Sequence, residues 1–298
     1  MSVERDLSSA AIAFSATDWL LMAAIALMWG SSFVWMKVAL ESFAPGVIAL
    51  LRVVFGIATL ALFPKARTPV ERADWPAIAL LGVLWMGAPF LLFPIAEQWI
   101  DSSVAGMING GVPIFAGIVA ATLLRRAPSA KTVLGIAVGF AGVVAVSLPA
   151  LEGVESSGLG IALVLLATAM YGVAVNIAAP LQKRYGALPL LLRVQLVALG
   201  VTLIPGVIGL SSSTFDWAAL LAVVPLGCLG TGLAFIGMAT LVGRVGPARG
   251  SVTIYFVPVV AIVLGSLFLD EDISLISLLG TGLVLIGAFL ASRAQAAR

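Results

Sequence analysis

Residues 76–98 read PAIALLGVLWMGAPFLLFPIAEQ, and no side chain in the run carries a charge before Glu97. A helix rises about 1.5 Å per residue, so roughly 20 apolar residues match a hydrocarbon core about 30 Å thick. The run therefore predicts one membrane-spanning helix, preceded by Arg72 and Asp74 and followed by Asp101. Residues 217–241, WAALLAVVPLGCLGTGLAFIGMATL, repeat its design, and Asp74-Trp75 at the first start recurs as Asp216-Trp217 at the second.

Working outward, charged or turn-rich breaks separate ten such segments, at about 19–40, 46–63, 76–98, 102–123, 132–150, 158–181, 189–210, 217–241, 247–269 and 273–292. The composition agrees: 61% of the 298 residues are hydrophobic and 10% charged, more apolar surface than a water-soluble core can bury. The expected fold class is an all-α membrane protein of ten transmembrane helices.

The loops then orient the bundle. Arg5, Lys65, Arg67, Arg72, Arg125, Arg126, Lys131, Lys183, Arg184, Arg244, Arg249, Arg293 and Arg298 fall in the tails or in the connections after spans 2, 4, 6 and 8. The odd-numbered connections hold only acids: Glu41, Asp101, Glu152, Glu155, Asp216, Asp270, Glu271 and Asp272. By the positive-inside rule both termini are cytoplasmic, in a multi-pass protein of the cell inner (plasma) membrane. The first residues, with Glu4, Arg5 and Asp6, lack a secretory signal pattern and read as a cytoplasmic tail. The net charge of +2, spread in this way, gives no reason to expect nucleic acid as a partner.

The chain also repeats itself. LLRV at 50–53 recurs at 191–194, Val112-Pro113 matches Val257-Pro258, Leu134-Gly135 matches Leu279-Gly280, and Gly142 matches Gly287, at offsets of 141 to 145. A five-span unit is odd, so its second copy must cross in the opposite sense, the inverted-repeat plan of secondary transporters. The expected division is a tail at 1–18, a first repeat at 19–150, an inverted second repeat at 151–292 and a tail at 293–298.

Two counts remove chemistry. There is no histidine, and the single cysteine, Cys228, lies in an apolar run, so Ser-His and Cys-His pairs, HExxH zinc sites and thiolate clusters are absent. The sequence predicts no catalytic residues, no metal and no cofactor.

Trp29-Gly30-Ser31-Ser32-Phe33 running to Lys37, with the Pro45 turn and Arg52, resembles the first-span signature of the drug/metabolite transporter superfamily, in its ten-span EamA-like branch. The resemblance covers nearly the whole chain. It implies a metabolite exporter with a central cavity lined by spans 1, 3, 4, 6, 8 and 9 and with spans 5 and 10 outside. Aromatic amino acid exporters are the subgroup it points to. Drugs, nucleobases or other metabolites are the alternative cargo, and a channel or membrane enzyme the alternative class. The expected partners are a small-molecule substrate and the lipid bilayer, with the chain a monomer or weak homo-oligomer.

Within the spans, Pro113 and Pro258 lack the N–H that would bond four residues back, which predicts freed carbonyls at Asn109 and Ile254 and a hinge in each half, or else simple packing kinks. Trp29 and Tyr171 each precede a glycine, and with Ser32, Trp85, Asn109, Asn176 and Tyr255 they form the expected aromatic and polar lining for a solute. Lys37 reads either as an attractor of a solute carboxylate or as a snorkelling side chain, and Arg52 and Arg193 as structural or solute-binding cations. Glu97, the one carboxylate at membrane depth, reads as an interfacial acid or a site of weak proton coupling.

Overall fold

The computed structural model describes residues 15–123, 130–151 and 157–296. Arg5, Arg125, Arg126, Arg298, Glu4, Asp6, Glu152 and Glu155 lie outside them. Among the described residues, eight helical stretches are long and apolar enough to span a bilayer, and Pro45–Ala61 and Leu275–Leu290 are shorter apolar helices. The protein is an all-α membrane protein. Span 1 is Ala16–Ala39, span 2 Pro45–Ala61, span 5 Ala130–Leu151, span 6 Ser157–Tyr185, span 7 Ala187–Gly209 and span 10 Leu275–Ala296.

The other four spans are interrupted. Span 3 runs Trp75–Leu81, then a π-helical turn Gly82–Gly87, then Ala88–Ala96, and span 8 repeats this as Trp217–Pro225, a π segment Leu226–Leu233, and Ala234–Val245. Span 4 breaks into Ser102–Asn109 and Val112–Leu123; span 9 is a 3-10 turn Ser251–Phe256 followed by Val257–Phe268. Pro113 and Pro258 each take an early position in a new helical segment, where a missing N–H costs nothing. One expectation fails here: the Ile254 carbonyl is not free, because the tight 3-10 geometry lets the Val257 N–H bond to it.

Glycines show how the halves fit. An added Cβ at Gly82 would lie 2.5 Å from Val197 Cβ and 3.0 Å from the Val194 carbonyl; at Gly227 it would lie 2.5 Å from Phe55 Cβ and 2.8 Å from the Arg52 carbonyl. Gly87 meets Val201 as Gly232 meets Thr59, and Gly30 meets Val260 as Gly172 meets Phe115. Each contact thus occurs twice with the halves exchanged, the signature of a two-fold relation. Span 5 crosses span 10 antiparallel, since Gly139 meets Gly287, Gly142 meets Val284 and Val146 meets Gly280. Small residues at these points let the backbones touch, which stands in for a hydrophobic driving force in lipid.

The exchange also corrects a register. The contacts pair Phe55 with Val197, Arg52 with Val194 and Thr59 with Val201, so LLRV at 50–53 and 191–194 is one residue out of structural alignment. Arg52 and Arg193 are not counterparts.

Candidate functional site

Spans 1 and 8 pack along their length, as do spans 3 and 6. At the end of the bundle bearing the basic loops, Arg244 pairs with Asp18 at 2.6 Å to tie span 8 to span 1, and Arg184 pairs with Glu71 at 2.5 Å and Asp74 at 2.7 Å to tie span 6 to span 3. Side chains fill the space between the two pairs.

The first layer is aromatic. Trp29 of span 1 donates its indole N–H to the Gly230 carbonyl in the π segment of span 8, at 3.1 Å. Phe235 stands edge-on to Trp29 at 5.3 Å and to Trp85 at 5.4 Å, so one ring of span 8 joins span 1 to span 3. One turn further along span 1, Phe33 meets Phe93 edge-on at 5.6 Å, and Phe93 stacks on Tyr171 of span 6 at 5.8 Å. Trp29, Trp85 and Phe235 are half-buried, whereas Phe33 and Phe93 are 4% and 2% exposed. The space closes toward the acidic end.

Charge lies at the closed side. Phe90, Phe93 and Glu97 share one face of span 3 by helical spacing. Arg52 is buried: its Cζ sits 3.7 Å above the Phe90 ring, its Nε donates to Thr231 Oγ1 at 2.8 Å, and Nη1 reaches Met36 Sδ at 3.7 Å. Thr231 is held in turn, since its carbonyl accepts from Gln195 Nε2 at 3.0 Å. Glu97 is fully buried and neither carboxylate oxygen has a hydrogen-bond partner.

Two contacts seal the acidic end. Lys37 Nζ donates to the carbonyls of Glu97 at 2.6 Å and Ile100 at 2.9 Å, capping the end of span 3 from span 1. Glu271, between spans 9 and 10, accepts the N–H of Ser102 at 2.8 Å and of Ser103 at 2.9 Å, a carboxylate on the N-terminus of span 4. Asp101 beside it is raised from its ordinary value, first by burial and then by the Glu271 charge. At the basic end an open depression of about 360 Å³ is lined by Lys65, Thr68, Tyr185, Leu188, Ile236 and Thr240 among others.

The remaining sequence candidates divide. Ser32 is buried and donates to the Met28 carbonyl of its own helix at 2.9 Å. Asn176 spends its amide on the carbonyls of Ala116 at 3.1 Å and Gly172 at 2.9 Å, bracing the broken span 4. Asn109 keeps a buried, unpartnered Oδ1 at that break. Tyr255 meets Phe289 of span 10 edge-on at 6.4 Å. Gly110 lies against Pro258, so the two broken spans cross at their breaks. Arg193 donates to the carbonyls of Ala66, Arg67 and Pro189, a bond set among loop and helix ends. Phe90, Phe93, Phe235 and Thr231 did not stand out in the sequence, and Phe33 and Glu271 stood out only within the first-span signature and the acidic loops; Phe33 carries a spacing signal one turn from Trp29, and Phe93 and Phe90 one and two turns from Glu97.

The EamA-like transporter family profile matches residues 18–148 and again 158–293. The chain belongs to the EamA-like transporter family, within the drug/metabolite transporter superfamily. It is similar to an uncharacterized transporter of Archaeoglobus fulgidus (27% identity, 92% of this chain and 98% of that one). The Escherichia coli inner membrane transporter YedA is 27% identical over 90% of this chain and 88% of its own. A Streptantibioticus cattleyicolor protein named "probable terminal-alkyne amino-acid exporter" is also 27% identical, over 89% and 90%. A solved crystal structure superposes with a TM-score of 0.60 at 17% identity, covering 93% of this chain and 97% of the other, which shows a shared fold. This EamA-like protein is a multi-span transporter, not an enzyme.

Proposed function

We propose that this EamA-like chain exports small metabolites, amino acids foremost, by alternating access, with both termini cytoplasmic and with the repeats bounded at 19–150 and 151–292. The observation that carries the reading is the layered site between helix pairs 1–8 and 3–6. It is sealed at the acidic end by Lys37 and Glu271, while its aromatic layer nearer the basic end is half-buried. With the basic loops cytoplasmic, this is a cytoplasm-facing carrier with its outer side closed. Trp29, Trp85 and Tyr171 line the path. Asn109 offers an unpaired acceptor beside the crossing of Gly110 and Pro258, where the breaks at Pro113 and Pro258 serve as hinges. Lys37, Ser32 and Asn176 are better assigned to holding the scaffold, because each already donates to a backbone carbonyl. Tyr255, against Phe289, belongs to the packing of span 10. Counterflow in liposomes tests this: a carrier loaded with an unlabelled amino acid accumulates the labelled one transiently. Solute flux without counterflow would assign a channel instead.

A further inference from the structure

The geometry points to a zwitterion site in which Arg52 holds the carboxylate and Glu97 the ammonium of an α-amino acid, resting on the transport reading above and naming the cargo's recognised groups. Arg52 carries five N–H donors, of which Nε is used by Thr231 and Nη1 touches only a thioether sulfur. Glu97 carries two acceptor oxygens with no partner at all. Arg52 rests on Phe90, which lies two helical turns before Glu97 on the same face of span 3, and yet the two side chains form no ion pair. Buried ionisable groups of opposite sign normally collapse onto each other, because each left alone at membrane depth is costly. Here each is pinned short of the other. Phe90 stacks under the guanidinium, Thr231 anchors it from span 8, and the span 3 backbone that carries Glu97 is fixed by Lys37 through its carbonyl.

A group inserted between them has to offer acceptors to the arginine and donors to the glutamate. The α-carboxylate and α-ammonium of an amino acid do so with one carbon between them. Its side chain is then received by Phe93 and Tyr171, which stack at 5.8 Å beside the pair. A lone anion would leave the Glu97 oxygens without a donor and a lone cation would leave the Arg52 guanidinium without an acceptor, so the site discriminates against both.

The test uses the full-length protein in detergent. Melting temperature is measured with each of the twenty standard L-amino acids, then with the amide and the deaminated acid of the strongest stabiliser, which compete for its binding. The wild type should prefer the amino acid over both analogues by about 10- to 100-fold, the worth of one charge-assisted hydrogen bond. Arg52→Gln should abolish the preference over the amide while keeping that over the deaminated acid, and Glu97→Gln should do the reverse. Arg52→Lys and Glu97→Asp, which keep charge, serve if a neutral variant fails to fold, and should weaken the matching preference alone. Equal loss of both preferences in either variant, or no preference in the wild type, overturns the site. Failure of every amino acid also overturns it, and counterflow of uracil or tetraphenylphosphonium would then leave the carrier reading standing.

Discussion

Glu271→Gln should open the acidic end. The native carboxylate accepts two backbone N–H bonds, from Ser102 and Ser103, at 2.8 and 2.9 Å, and is 8% exposed. Bonds to a charged partner contribute about 1.5–3 kcal/mol against about 0.5–1.5 for neutral ones, and a glutamine has one acceptor oxygen, so one bond becomes neutral and the other is lost, which forfeits roughly 2–3 kcal/mol over the pair. Loss of the favourable charge at a helix N-terminus adds about 0.3–1 kcal/mol. The total, about 3 kcal/mol, shifts the balance between closed and open outer faces on the order of a hundredfold. The assay is the labelling rate of a cysteine at Val104, 7% exposed and the residue next to the docked amides, in a Cys228→Ser background with a membrane-impermeant maleimide. Labelling should accelerate strongly in Glu271→Gln. A rate within twofold of the parent, at unchanged melting temperature, would refute Glu271 as a closure.

Asn109→Ala removes an unpartnered buried oxygen, so it should leave the melting temperature unchanged or raised while lowering solute flux; a parallel loss of both would make Asn109 structural. Arg193→Ala strips hydrogen bonds from the carbonyls of Ala66, Arg67 and Pro189, and should cost about 2 kcal/mol and speed amide exchange across residues 64–67, read by mass spectrometry. Gly142→Leu should block assembly of spans 5 and 10, since even a Cβ there would lie 2.5 Å from the Val284 nitrogen. A monodisperse, thermostable Gly142→Leu protein on size-exclusion chromatography would contradict the close crossing.

The spans were legible because apolar length is a one-dimensional property: 76–98 announces a helix whatever it packs against. The π turns were not, because an extra residue per turn leaves hydropathy untouched, although Gly82, Gly87, Gly227, Gly230 and Gly232 mark where they fall. Trp29, Trp85 and Tyr171 were recognisable as large, matched or centrally placed rings. Phe235, which joins two of them, has no distinguishing neighbour in sequence. LLRV misled because identity of letters was taken for identity of position, and a one-residue slip on a helix turns a side chain by about 100°. Lys37 was left open for another reason: its charge was visible, but the carbonyls to which it donates lie some sixty residues away.

The exchanged glycine contacts have a consequence for the direction of the cycle. If the outward state is built by each half adopting the other's present shape, the two states share one scaffold and would be nearly equal in energy. The chemistry is not shared. By the same alignment Lys37 corresponds to Ala179, Arg52 to Val194 and Glu97 to Val242, so these three charges belong to the first half alone and have no charged counterpart in the second. The degeneracy that the fold supplies is therefore lifted by four side chains, counting Glu271, and it is these unrepeated residues that tell a symmetric machine which way to rest.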